Sequence, residues 1–276
     1  MVFNEVINKS FAKTIEGKLT PDAIVNISQT VDTYYKRMLQ QYRIPEGQIY
    51  IIGCSDLKVF DTGDLAKMIT YKTGKQIILL DLQTEASLDI AGTIPRRFLD
   101  KSTWFDNRGM SVLIDVGNCN TKGGYQQIRM LPTGNPDYIF ETFGIPEGTI
   151  TFTDEVAARA GESADLRKFA DHARMLSEKS ILEALKIEMG KRPGLVNRKK
   201  IYLSGDIVWA MVTLLFPEDS RSTVSLRVED INEFYNRAVS DPQGLLRPNL
   251  PKIRAKRARL EAEKEIEDVR NTFTPE

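Results

Sequence analysis

The sequence predicts an α/β protein in which helices cover a mixed sheet. Three observations carry this expectation. Short apolar runs at Gln48–Gly53 and Gln76–Asp81 alternate with helical stretches. A run at Val112–Asp115 ends in a carboxylate and a turn of small residues. A later strand, Lys199–Leu203, passes through Ser204-Gly205-Asp206 directly into an apolar helix. Strand–helix alternation of this kind argues for a parallel or mixed sheet.

Taken in order, Leu19-Thr20-Pro21-Asp22 opens a helix, with Thr20 as cap and Pro21 in its first position. Ile24, Ile27, Val31, Tyr34, Tyr35 and Leu39 then give one apolar face through Tyr42. Pro45-Glu46-Gly47 ends that helix, and I-Y-I-I at Ile49–Ile52 reads as a short buried strand. Cys54-Ser55-Asp56 is a strand-to-helix turn. Asp64–Thr73 is a helix closed by Gly74. The buried strand Gln76–Asp81 follows, then a helix over Thr84–Ala91. Arg96–Arg108 is a polar connector carrying Trp104 and Phe105.

The strand at Val112 is expected to pair with Gln126–Leu131, and Pro132–Pro136 is read as loop. Ile150–Thr153 reads as a short strand, with helix from about Asp154. Asp165–Gly190 is helical, with Leu166, Phe169, Ala173, Leu176, Ile181, Leu185 and Met189 expected to face inward. Pro193-Gly194 breaks that helix. Helices are expected at Ile207–Leu215 and Val228–Val239, with loop at Pro242–Pro251. Pro251–Asn271 is a long charged helix whose few apolar residues include Ile253, Leu260, Ile266 and Val269. It reads as a solvated helix laid on the domain, with a partner or nucleic-acid helix as the alternative.

Composition removes several function classes. Lys plus Arg and Asp plus Glu number 38 each. That balance argues against nucleic acid as a partner and gives no electrostatic reason to expect a membrane surface. Met1–Ser10 has no apolar core segment and no run reaches spanning length, so a cytoplasmic protein is expected. Cys54 and Cys119 lack nearby Cys or His partners, which argues against a zinc site and for reduced thiols. The lone His172 lies in a polar helical stretch and reads as a surface residue.

The stretch V-L-I-D-V-G-N-C-N-T-K-G-G-Y, Val112–Tyr125, carries the chemistry. A strand ending in a carboxylate and a small-residue turn can present backbone N–H groups and hydroxyls to a phosphate. The carboxylate can hold a divalent ion beside it. The same residues also suit a plain β-hairpin, with Asn and Gly chosen for their tolerance of positive φ. Ser204-Gly205-Asp206 repeats the choice, since a helix that starts after a glycine turn points free N–H groups at whatever lies there. Simple packing explains that turn equally.

Three stretches in chain order resemble the exopolyphosphatase and guanosine pentaphosphate phosphatase family, of the sugar kinase, Hsp70 and actin superfamily. Ile114–Lys122, I-D-V-G-N-C-N-T-K, is similar to the family's second phosphate loop, D-I-G-G-G-S-T-E. Thr84-Glu85-Ala86-Ser87-Leu88 is similar to its E-E-A-R-L segment, and Tyr202–Asp206 to its later glycine turn, G-x-G-T. Weaker echoes lie at Gly17–Thr20, Gly53–Lys58, Gly148–Glu155 and Val228–Ile231.

The resemblance implies an actin-like ATPase fold of two lobes around a cleft, about 1–110 and 111–276, with the first lobe incomplete. It implies hydrolysis of a phosphoanhydride in polyphosphate or a guanosine pentaphosphate-type nucleotide, in the cytoplasm. Glu85 would be the general base and Asp115 would hold Mg²⁺. Backbone N–H groups at Gly117, Asn118, Cys119, Asn120 and Thr121, and at Ser204, Gly205 and Asp206, would bind phosphoryl oxygens. A homodimer is compatible with this reading.

The chain departs from the family pattern at definite places. No first phosphate loop of the D-x-G-S-N-S kind precedes Gly17. Lys122 stands where the loop has an acid, and Ser87 where the helix has arginine. The chain ends at Thr274-Pro275-Glu276, where a family domain would add a strand and glycine turn. Either the sequence is a piece of a longer protein, or the protein has lost phosphatase chemistry and kept a phosphate- or nucleotide-binding regulatory role. D-V-G-N-C-N-T-K also resembles the first phosphate loop of plasmid-segregation actins, D-x-G-x-G-N-T-K, which opens those chains rather than following 110 residues.

Overall fold

The computed structural model describes residues 14–15, 18–59, 61–95, 108–161, 165–219, 221, 223–250 and 253–273. Gly17, nearly all of the connector Arg96–Arg108, and Pro251 lie outside the described residues. The chain forms two compact units, Lys9–Leu88 and one that includes Asp89–Glu276. The sequence places its lobe boundary at 110/111; the compact units divide at 88/89, inside a helix.

In the Lys9–Leu88 unit, β1 (Thr14–Ile15) and β2 (Lys18–Leu19) form a small antiparallel pair. Helix α1 spans Pro21–Gln40, and the Thr20 hydroxyl accepts the Ala23 N–H at 3.3 Å. Thr20→Ala leaves that first-turn N–H without its cap. The unit should lose about 1 kcal/mol, read as a lower denaturant midpoint. Strand β3 (Ile51–Gly53) runs parallel to β4 (Ile77–Leu79), with α2 (Gly63–Thr73) crossing between them. Gly74 closes α2 in the left-handed conformation, φ +71°.

Leu19, Leu65 and Ile69 form this unit's core, with Ile24, Ile27, Val31, Ile51 and Ile77 packed against them. The two strands are not buried on both faces as their continuous apolar runs suggested. Ile52 and Ile78, which point the opposite way from Ile51 and Ile77, are exposed.

Helix α3 spans Leu82–Thr93 and contains the junction. Asp81 begins it by accepting the Thr84 N–H at 2.7 Å, a bond that holds the Asp81 carboxyl below its ordinary range. The sequence predicts this helix only from Thr84, without the Asp81 cap.

In the larger unit, β5 (Ser111–Val116), β6 (Thr121–Met130), β7 (Pro136–Ile145) and β8 (Lys200–Ser204) form one sheet in the order β7-β6-β5-β8. The β5/β6 and β6/β7 pairs are antiparallel, and β5/β8 is parallel. Strand β7 lies where the sequence predicts no element. Its Tyr138–Phe143 content is β-prone, and it pairs with β6 along the whole length of both strands. Val112 and Ile114 pack with Tyr125, Phe143 and Leu195. Leu113 turns the other way to Ile90 and Ile94, the end of α3 and the residue after it. That alternation is the pleat of a strand covered on both faces.

Helix α4 spans Thr149–Ala160, so Ile150–Thr153 is helical and not the strand its β-branched residues suggested. Tertiary hydrogen bonds from this first turn, described below, override the propensity. Helices α5 (Leu166–Leu176) and α6 (Leu182–Gly190) are joined by a π-helical turn, Ser177–Ile181. The extra residue in that turn shifts the phase, so Leu176 is buried while Met189, expected inward, is exposed.

Helix α7 (Asp206–Leu215) follows β8; α8 (Val228–Ser240), the short α9 (Pro242–Leu245) and α10 (Lys256–Phe273) come after it. The α10 helix packs on α7: Ile266 and Val269 join Ala210, Leu214 and Leu245 in one core. Leu260, also on α10, is exposed. No described helix is long and apolar enough to cross a membrane.

Candidate functional site

The two strand-end turns meet in the larger unit. In the parallel β5/β8 ladder Asp115 lies beside Ser204, so both strands finish level and their turns emerge together. The Ser204 hydroxyl donates to Asp115 Oδ1 at 2.7 Å. Gly205 sits against the end of β5 at φ +107°, and a Cβ there would fall 2.0 Å from the Val116 carbonyl oxygen. Only glycine permits that approach. Helix α7 begins at Asp206 with no side chain capping it. Asp206 itself is exposed in the first turn, and an uncapped N-terminus favours an anion.

The Gly117–Thr121 turn is held from two sides. Within it, the Gly117 N–H donates to the Asn120 carbonyl at 3.0 Å. From α4, the Thr149 N–H donates to the Gly117 carbonyl at 2.9 Å, and the Ile150 N–H to the Asn118 carbonyl at 2.8 Å. The Thr121 hydroxyl donates to the Glu147 carbonyl at 2.8 Å. Gly148 lets α4 come this close, since a Cβ there would fall 2.4 Å from the Asn118 carbonyl carbon. Asn118 is exposed at the tip, Gly117 and Cys119 are half-buried, and Asn120 and Thr121 are buried.

Lys122 lies opposite Asp115 in the β5/β6 ladder, which puts the two side chains on one face of the sheet. Its ammonium donates to Asp115 Oδ2 at 2.7 Å and stands 3.9 Å from Asp89 Oδ2. The lysine is 3% exposed.

Asp115, expected to hold Mg²⁺, therefore has one oxygen on an ammonium and the other on a hydroxyl. A divalent ion at Asp115 would sit beside that fixed ammonium. At roughly 4 Å, with an effective dielectric near ~20, the two cations repel by about 8 kcal/mol. Among the described residues no three His, Cys, Asp or Glu side chains gather as a metal site. The side chains around Asp115 do not fit a divalent ion.

Glu85 belongs to the other compact unit. It is half-buried in the first turn of α3, and its Oε2 accepts the Ser55 N–H at 2.6 Å. Ser55 opens the one-turn helix Ser55–Val59 that follows β3. Glu85 is thus directed by a backbone amide, where the sequence alone suits an exposed helix residue equally well.

The structure brings Asp115, the Gly117–Thr121 turn and Ser204–Asp206 into one place. It adds Lys122, Asp89 and the start of α4, none of which the sequence singled out as part of a site. Lys122 was visible as a departure from the loop pattern. The antiparallel return after a four-residue turn already sets it opposite Asp115.

The fold is a mixed α/β architecture with paired turns at adjacent strand ends. No protein-family model matches the chain, and no curated protein is similar to it in sequence. Among solved structures, an exopolyphosphatase-like protein superposes with a TM-score of 0.60 at 14% identity, over 92% of this chain and 74% of that one. An exopolyphosphatase from Cytophaga hutchinsonii gives 0.56 at 14% identity, over 94% and 78%. The Aquifex aeolicus member of the Ppx/GppA family gives 0.51 at 14% identity, over 94% and 76%. At this identity the likeness establishes the fold.

Proposed function

We propose that the protein is a phosphoanhydride hydrolase acting on polyphosphate or a guanosine pentaphosphate-type nucleotide. The observation that carries this reading is the meeting of the Gly117–Thr121 and Ser204–Asp206 turns at the ends of β5 and β8, in a fold shared with exopolyphosphatases. In this reading N–H groups of the two turns, other than that of Gly117, which is spent on the Asn120 carbonyl, hold phosphoryl oxygens together with the α7 N-terminus. Glu85 takes a proton from water as the water oxygen attacks the terminal phosphorus. The new P–O bond forms as the anhydride P–O bond breaks, and its electron pair leaves with the shortened chain.

One observation favours a second reading, a phosphate- or nucleotide-binding module without catalysis. Asp115 is fully engaged by Lys122 and Ser204. One assay separates the two. Phosphate release from polyphosphate and from guanosine pentaphosphate is measured for the native chain and for Glu85→Gln. A hydrolase of this kind loses about 10²-fold or more in the variant, the usual worth of a general base. Equal release by both proteins removes Glu85 from the mechanism. Absent release together with retained polyphosphate binding selects the binding module.

A further inference from the structure

Lys122 is where the chain departs most sharply from a metal-assisted phosphate site, and the geometry gives that departure a meaning. Asp115 and Asp89 present carboxylate oxygens of the kind that suit a hard cation. The cation they surround is an ammonium of the chain itself. We propose that Lys122 is the resident cation of this site, standing at Asp115 in place of a divalent metal, so that a phosphate chain binds the two turns without Mg²⁺. The proposal rests on the phosphate-binding reading of those turns.

Three features support it. The ladder register places Lys122 opposite Asp115 by backbone pairing, independently of any ligand. Burial removes the freedom of a surface lysine, whose side chain here is 4% exposed. Two carboxylates face the one ammonium, at 2.7 and 3.9 Å, as they would face a metal ion. A divalent ion could take Asp115 only by expelling Lys122 from this buried position. An ammonium supplies one charge where the metal supplies two. The phosphate is then held chiefly by backbone N–H groups, and its affinity should fall with added salt.

The test uses the full chain, with Mn²⁺ as a paramagnetic stand-in for Mg²⁺ and tripolyphosphate as the anion. Mn²⁺ binding is followed by electron paramagnetic resonance without ligand, and tripolyphosphate binding by calorimetry in EDTA. The expected result is no Mn²⁺ bound at Asp115 and measurable tripolyphosphate binding in EDTA. Lys122→Met should weaken that binding about tenfold or more, because Asp115 and Asp89 then face the anion without a counter-charge. It should also bind Mn²⁺ through the freed Asp115. Mn²⁺ bound by the native chain and lost in Asp115→Asn overturns the proposal. So does tripolyphosphate binding that appears only with Mg²⁺ present. No tripolyphosphate binding in either condition overturns the phosphate reading itself, and the proposal with it. The Mn²⁺ and EDTA measurements on the native chain need no variant, so the test stands even if Lys122→Met does not fold.

Discussion

Lys122→Met should destabilise the larger unit by about 3–5 kcal/mol, the cost of removing one partner from a buried ion pair. The size follows from burial. The Lys122 and Asp115 side chains are 4% and 16% exposed, so water cannot replace the lost ammonium at Asp115. Asp89 adds little, because it is about one-third exposed and sits 3.9 Å away. At a slope of about 1–3 kcal/mol per molar urea, the unfolding midpoint should fall by one to a few molar. A midpoint that does not move would mean the ammonium is not held at Asp115.

A second substitution shows where the cost arises. Removing the charge at both positions, as Lys122→Met with Asp115→Asn, should recover much of the loss, since no unpaired charge then stays buried. The Ser204 hydroxyl keeps an amide oxygen to donate to. Recovery would identify the penalty as that of a stranded carboxylate rather than poor packing of methionine between β5 and β6.

What could be read in the sequence follows from how local each signal is. Thr20-Pro21 and Gly74 mark helix ends through their own backbone chemistry, and the structure starts α1 and ends α2 there. The turns after Asp115 and Ser204 were legible for the same reason, because strand, small residues and helix follow one another directly. Strand β7 was not read, because its pairing with β6 is a tertiary fact and Pro132–Pro136 drew attention to the turn instead. Ile150–Thr153 misled because β-branched residues favour strands, while the Asn118 carbonyl that accepts the Ile150 N–H lies about thirty residues away in the chain. Asp89 carried no signal at all: an acid within a helix is ordinary until a buried lysine is found beside it. The candidate site was thus half visible. Its turns are local, and its charge arrangement depends on which strands pair.

Gly205→Ala should be as damaging as the loss of Lys122, for a purely steric reason. The residue stands at φ +107°, where side chains are strained by about 1–3 kcal/mol whatever surrounds them. The added methyl would also lie 2.0 Å from the Val116 carbonyl oxygen and 2.7 Å from its carbon, so backbone must move. Forced displacement of packed structure costs about 1–3 kcal/mol more, giving roughly 2–6 kcal/mol in all. Gly190→Ala is the control, because a Cβ there meets nothing within 4 Å and the residue lacks a positive φ. It should leave the denaturant midpoint nearly unchanged. The displacement in Gly205→Ala falls between the ends of β5 and β8, and so pulls Ser204 from Asp115 and the α7 N-terminus from the Gly117–Thr121 turn. Tripolyphosphate binding should therefore fall with stability, although no side chain proposed to meet phosphate has changed. A stable Gly205→Ala protein that still binds tripolyphosphate would show that the closeness of the two turns is packing alone, and would leave the phosphate reading without the observation that carries it.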